Sequence, residues 1–199
     1  ALRRSLADCL VADGFYEVVN WAFCDPEALD WMNLSADDPR RQAPRLMNPV
    51  GARFALMQPT LLLGLLKCLL FNVNHGNRDL KLFELNKVYL RPGARLAQEE
   101  YRVAGVLCGA REPAFWDDKP QAVDFFDARG AVENLLERAG VIDATWRPSA
   151  EPYYLAGNAA DVVAGETVLG SLGQMDPKVL ERFGVEVPVY AFDLGLPAM

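Results

Sequence analysis

The residues that could carry chemistry are few and scattered. His75 is the single histidine in 199 residues, so sites built from two or three imidazoles, common zinc protease centres among them, are excluded. As a general base His75 would need an orienting carboxylate, and Asp79 is the nearest in sequence. The plainer reading is a helix-end residue meeting the last carbonyls and the dipole. That reading prevails because no nucleophile pattern accompanies the histidine. Asp124 and Asp127 flank Phe125-Phe126 and could form an acid/base or cation pair. An N-cap and a first-turn charge for the following helix account for both. Asp37-Asp38 and Asp117-Asp118 lie in loops that lack a third carboxylate at binding-loop spacing, so they read as solvated turns. Arg40, Arg41 and Arg45 could meet a phosphate, but among neighbouring acids they read as a solvated loop. Cys9, Cys24, Cys68 and Cys108 form no CxxC pair, which removes zinc clusters and thioredoxin-like redox chemistry. Two disulfides are one alternative; small buried hydrophobes in a reducing cytoplasm are the better fit. Residue types and spacing give no catalytic or metal-binding constellation.

Composition sets the frame around these residues. Twenty Lys and Arg against 27 Asp and Glu leave a net charge of −7, which offers no general field for nucleic-acid phosphates. A hydrophobic fraction of 51% rules out disorder, and the length suits one sizeable core. The longest apolar run, residues 61–71, is too short to span a bilayer. A chain that opens on Ala1 and runs directly into a helical pattern is expected to be part of a longer protein.

The elements that must position these side chains follow from periodicity and punctuation. A helix is predicted over residues 2–13, closed by Gly14, then an aromatic and β-branched strand over 15–23. Asp25-Pro26 reads as a helix start, and residues 35–45 as an exposed loop. Thr60 is placed to cap a helix over 61–74 that has leucines on all sides. Strands are predicted over 80–90, ended by a turn at Arg91-Pro92-Gly93, and over 102–109. A helix over 124–139 precedes a hairpin, 160–164 with 167–172, turned at Gly165-Glu166. Asp176-Pro177 starts another helix, and 187–194 is the closing strand. Strands in runs with few helices between them give an α+β fold with an antiparallel or mixed sheet. A single module over residues 1–199 is expected, with a candidate seam at 110–119. No phosphate-binding glycine loop of the Rossmann or Walker type is present.

The order of these pieces carries a resemblance. Leu46-Met47-Asn48-Pro49 leads to Met57-Gln58-Pro59-Thr60-Leu61-Leu62, and Asn72-Val73-Asn74-His75-Gly76 to Leu82-Phe83-Glu84-Leu85. Asp124-Phe125-Phe126-Asp127-Ala128-Arg129-Gly130 and Val189-Tyr190-Ala191-Phe192-Asp193-Leu194 complete the set. Collinear over essentially the whole chain, these segments resemble the synthetase-like core module of the bacterial phenylalanyl-tRNA synthetase beta subunit. Gln58, Leu63, His75, Asn86 and Asp176 depart from that family's usual Arg, Pro, Arg, Gly and His. Leu155-Ala156-Gly157 likewise departs from its His-Pro-Gly.

The resemblance implies a class II synthetase-like antiparallel sheet flanked by helices, and a domain without catalytic, cofactor-binding or metal residues of its own. Active class II domains hold ATP through arginines of their second and third motifs. Here Arg91 and Arg102 are present without the surrounding pattern, and residues 187–199 contain no Arg. The implied role is a cytoplasmic scaffold in a heterotetramer. It would support a catalytic alpha subunit, using ATP and magnesium, beside a second beta subunit, with tRNA contacted indirectly. Leu2, Leu6, Cys9, Leu10 and Asp13 on the first helix are the leading interface candidates, and the 61–71 helix is second. The alternative is an autonomous ATP-dependent enzyme that activates a carboxylic acid.

Overall fold

A computed structural model describes residues 2–90, 98–112, 116 and 120–195. Helix α1 (Leu2–Ala12) turns Leu6, Ala7 and Leu10 inward. Gly14 at φ +85° then ends it in the left-handed region that favours glycine. The predicted strand over 15–23 survives only at its ends, as β1 (Tyr16–Glu17) and β2 (Phe23–Cys24). Composition favours a strand throughout, but Asn20 leaves the ladder to hydrogen-bond the buried Glu84 carboxylate through its amide N–H (3.1 Å) and its Nδ2 (2.7 Å). The helix expected after Asp25-Pro26 is a single turn, α2 (Ala28–Trp31).

Strand β3 (Leu56–Met57) pairs with β2 as a small separate ladder. Thr60 Oγ1 accepts from the Leu62 amide at 3.2 Å and opens α3 (Leu62–Asn74). Strands β4 (Leu80–Leu90) and β5 (Gln98–Cys108) pair without interruption from Leu80↔Cys108 to Leu90↔Gln98. The turn expected at 91–93 lies outside the described residues, as do parts of the 110–119 segment. Across that segment Ala110 bridges to Ala122. Helix α4 (Phe125–Arg138) carries the predicted cap. Asp124 accepts from Phe126 and Asp127 amides, and Asp127 reciprocates to the Asp124 N–H.

Beyond it, β6 (Ala144–Pro148) is an edge strand that the sequence reading missed. β7 (Tyr154–Ala164) and β8 (Thr167–Met175) form the predicted hairpin but extend well past it. Helix α5 (Pro177–Phe183), capped by Asp176, leads to β9 (Val189–Leu194).

The main sheet runs β1-β4-β5-β9-β8-β7-β6 among the described residues. Every pair is antiparallel except β1 with β4, so the sheet is mixed rather than purely antiparallel. Two apolar layers cover it. Phe83 with Val103, Leu107 and Phe192 faces α1 and α4; Leu82 with Ala104, Val106 and Ala191 faces α2, α3 and α5. Alternate residues of one strand thus enter different layers, as the two-residue strand period requires. Gly105 keeps the first layer closed, because a side chain there would run into the Phe192 ring. No helix among the described residues is long and apolar enough to cross a membrane.

Candidate functional site

A cleft of about 390 Å³ lies where the centre of the sheet meets the segment before α3. Its floor is built from β5 and β9, which place Arg102 and Asp193 side by side. Arg102 Nε donates to Asp193 Oδ1 at 2.5 Å and Nη2 to the Asp193 carbonyl at 3.2 Å. Its remaining arm, Nη1, donates to Glu100 Oε1 at 2.8 Å. Thr60 Oγ1, while capping α3, donates to Asp193 Oδ2 at 2.8 Å. Gly170 on β8 lets these strands approach, since a Cβ there would collide with the Asp193 backbone oxygen.

The wall is built from the loop expected to be solvated. A 3-10 turn at Pro39–Gln42, capped by Asp38, aims Arg40 across the cleft. Arg40 grips Asp38 with two donors (2.9 and 2.7 Å) and reaches Glu151 at 2.8 Å. Its guanidinium lies 5.5 Å from the centroid of the buried Tyr153 ring. Burial opposes the charge on Arg40, yet the Asp38 bond and the Glu151 and Tyr153 fields hold its pKa above the ordinary arginine value. Arg102 shows the same balance: burial lowers, while Asp193 and Glu100 raise more strongly. Burial pushes the Tyr153 phenol up.

The chemical consequence lies in the charge balance. Among the described lining residues are Asp38, Glu151, Asp161 and Asp193 against Arg40 and Arg102, so 2 − 4 = −2. Each guanidinium already meets two carboxylates. A polyphosphate would have to displace them inside an acid-rich cleft, at the cost of leaving buried carboxylates unpaired.

Asp38 gives this clamp a pH signature. Burial raises its pKa, but hydrogen bonds and charge from Arg40 outweigh that and leave it below 3.8. A depressed carboxyl pKa contributes stability that is fully present above the unfolded value and is lost as pH falls through the folded one. The stability difference between the wild type and Asp38→Asn should therefore be constant above about pH 5 and shrink below pH 3.8. Urea midpoints against pH measure it; a difference unchanged down to about pH 3 would show that the clamp is not electrostatic.

The other sequence candidates lie elsewhere. His75 caps α3, with Nδ1 2.6 Å from the Phe71 carbonyl oxygen. Asp79 accepts from the Ala110 amide rather than orienting the imidazole. Asp124 and Asp127 combine the cap with ion pairs to Arg111 at 3.2 and 2.7 Å. Asp37 is exposed, and Asp117-Asp118 lie outside the described residues. The four thiols are free; burial pushes Cys24 up to about 12 and Cys108 up to about 11. No cluster that could hold a metal occurs among the described residues.

Of the α1 candidates, Leu6 and Leu10 are fully buried in this chain's own core, and Asp13 accepts from Asn134 Nδ2 of α4 at 2.9 Å. Leu2 and Cys9 stay half-buried at the stripe's edge. The α3 leucines likewise pack internally. Sequence reasoning named Arg40, as part of a solvated loop, and Arg102, but missed their partners Glu151, Tyr153 and Asp193.

Comparison with known proteins ties this geometry to a lineage. The family described as phenylalanyl tRNA synthetase beta chain CLM domain matches residues 1–196. The chain belongs to that family. A phenylalanine–tRNA ligase beta subunit from Syntrophotalea carbinolica is 41% identical over 193 residues, covering 96% of this chain and 24% of the relative. One from Geobacter sulfurreducens is 38% identical over 196 residues, covering 98% and 24%. The chain thus spans about a quarter of the length of these relatives.

In three dimensions the chain is similar to the pyrrolysyl-tRNA synthetase of Desulfitobacterium hafniense. The TM-score is 0.72 at 19% identity, covering 98% of this chain and 65% of that one. That likeness shows the fold alone: the family's module has a class II synthetase-like α+β architecture.

Proposed function

We propose that this module is a non-catalytic scaffold of a phenylalanine–tRNA ligase beta subunit. It supports a catalytic alpha subunit that attaches phenylalanine to tRNA in the cytoplasm. In this reading the alpha subunit handles ATP and magnesium, a second beta subunit completes a heterotetramer, and tRNA is reached through the assembly. The supporting observation is the cleft. Arg40 and Arg102 are each paired with two carboxylates of the same chain, so neither offers an uncompensated charge to a transferring phosphate.

The test is thermal unfolding of the domain with ATP and magnesium. A ligand at 100 times its Kd would stabilise by about 2.7 kcal/mol, a rise of roughly 5–10 °C for a chain this size. No shift at millimolar nucleotide is expected. A shift of that size, together with ATP–pyrophosphate exchange by the isolated chain, would establish the autonomous enzyme instead.

A further inference from the structure

The charge balance that makes the cleft unfit for a phosphate makes it fit for a cation. Its four carboxylates are not equally matched. Asp193 accepts from both Arg102 and Thr60, and Asp38 takes two donors from Arg40. Among the described residues Glu151 and Asp161 are engaged through one side-chain oxygen each: Glu151 Oε2 by Arg40 at 2.8 Å and Asp161 Oδ2 by Arg147 at 3.2 Å. Glu151 Oε1 and Asp161 Oδ1 keep acceptor sites for a donor from outside the chain. We propose that the cleft binds a small organic cation, a primary amine that carries an apolar body and no carboxylate. The proposal goes beyond the scaffold reading and does not depend on it.

Three features carry it. First, the strand register pairs Asp161 with Ser171 and Ser171 with Asp193. Directly opposed residues share a face of the sheet, so the three make a row across the cleft floor, with the buried Ser171 between two carboxylates. Two strand spacings separate Asp161 from Asp193 by roughly 10 Å, and Arg102 spends its donors on Asp193 and Glu100. The partner that Asp161 does have, Arg147 on the edge strand, has a side chain 57% exposed. A surface pair of that kind is weak, so the field of Asp161 remains available to a ligand.

Second, there is room. Beside the cleft lies a hollow of about 490 Å³ that shares Asp38, Arg40, Glu151 and Asp161 with it. Both volumes fall in the range of small-molecule sites, and the two under-matched carboxylates stand where the cavities meet. Val88, Leu90 and Val168 line the cleft and supply the surface that an apolar body would cover.

Third, the site selects against a carboxylate on the ligand. A zwitterion would find both guanidiniums already paired, whereas an ammonium donates to Glu151 and Asp161 and leaves every existing pair in place. The buried Tyr153 ring already holds one cation, Arg40, 5.5 Å from its centroid, and an aromatic face favours positive charge.

The test is calorimetric titration of phenethylamine into the full-length beta chain. A dissociation constant of about 1 mM or tighter is expected. Glu151→Gln combined with Asp161→Asn should weaken it at least tenfold. Val168→Trp should do the same by filling the cleft mouth without touching a charge, and it keeps the test decisive if the double variant shows a lowered denaturant midpoint. Wild-type affinity in the folded variants overturns the site, as does absence of binding by wild type at 10 mM amine. Equal binding of 3-phenylpropionate, which has a similar body and the opposite charge, overturns the cation selectivity. Magnesium alone displacing the amine at the same carboxylates overturns the proposal in favour of a metal site.

Discussion

Arg102→Met should lower the stability of the domain by about 3–5 kcal/mol, the cost of removing one partner from a buried ion pair. Asp193 is 4% exposed. After the substitution its Oδ1 loses the 2.5 Å guanidinium bond, while Thr60 still donates to Oδ2. A carboxylate left in that position is desolvated without a counter-charge. Against a typical total stability of roughly 5–15 kcal/mol the loss is large, and the urea midpoint reads it directly.

The decisive comparison is the double variant Arg102→Met with Asp193→Leu. Replacing both members of a buried pair by apolar residues of similar volume is commonly neutral or stabilising. The double variant should therefore recover most of the loss. A single-variant loss below about 1 kcal/mol would instead show Asp193 solvated through the cleft mouth, as for a surface pair. The outcome bears on function, because an arginine whose withdrawal leaves a buried carboxylate unpaired, at a cost of about 3–5 kcal/mol, is not readily surrendered to a phosphate.

What was legible in the sequence is what rests on neighbours in the chain. The Asp124–Asp127 box and the Asp176 cap each involve residues within three positions of one another, and both were read correctly. So were β4, whose bounds match the sequence prediction, and His75 as a helix-end residue. Contacts between distant residues were not legible. Arg40 looked solvated because its partner Glu151 lies 111 positions away, and Thr60 gave no sign that its cap also serves Asp193.

The strand over 15–23 failed for a related reason. Nothing local says that Glu84, 64 positions on, pulls Asn20 out of the ladder. The exposed Val19 and Trp21 are a consequence of that same displacement. Composition reads them as part of a continuous strand over 15–23, whereas the fold places them, exposed, in the link between β1 and β2. β6 escaped notice because five residues ending in Pro148 carry little strand periodicity, and Pro is tolerated there only because the strand is an edge.

The second large effect follows from α1. Leu10→Asp should unfold the domain outright. Leu10 is fully buried in the layer that α4, Phe83 and Phe192 share. Truncating such a leucine to alanine alone costs about 2–5 kcal/mol. An aspartate adds the desolvation of a charge with no cation in that apolar layer, several kcal/mol more after relaxation. The sum reaches the whole stability of an ordinary domain. Loss of subunit assembly in this variant would therefore report unfolding and not a lost contact. Val11→Asp on the same helix places the same charge on an exposed side chain and should leave the near-ultraviolet circular dichroism and the denaturant midpoint within about 0.5 kcal/mol of wild type. A Leu10→Asp domain that stays folded with an unshifted midpoint would mean that α1 does not depend on this chain's core. Its apolar stripe would then be available to a partner after all.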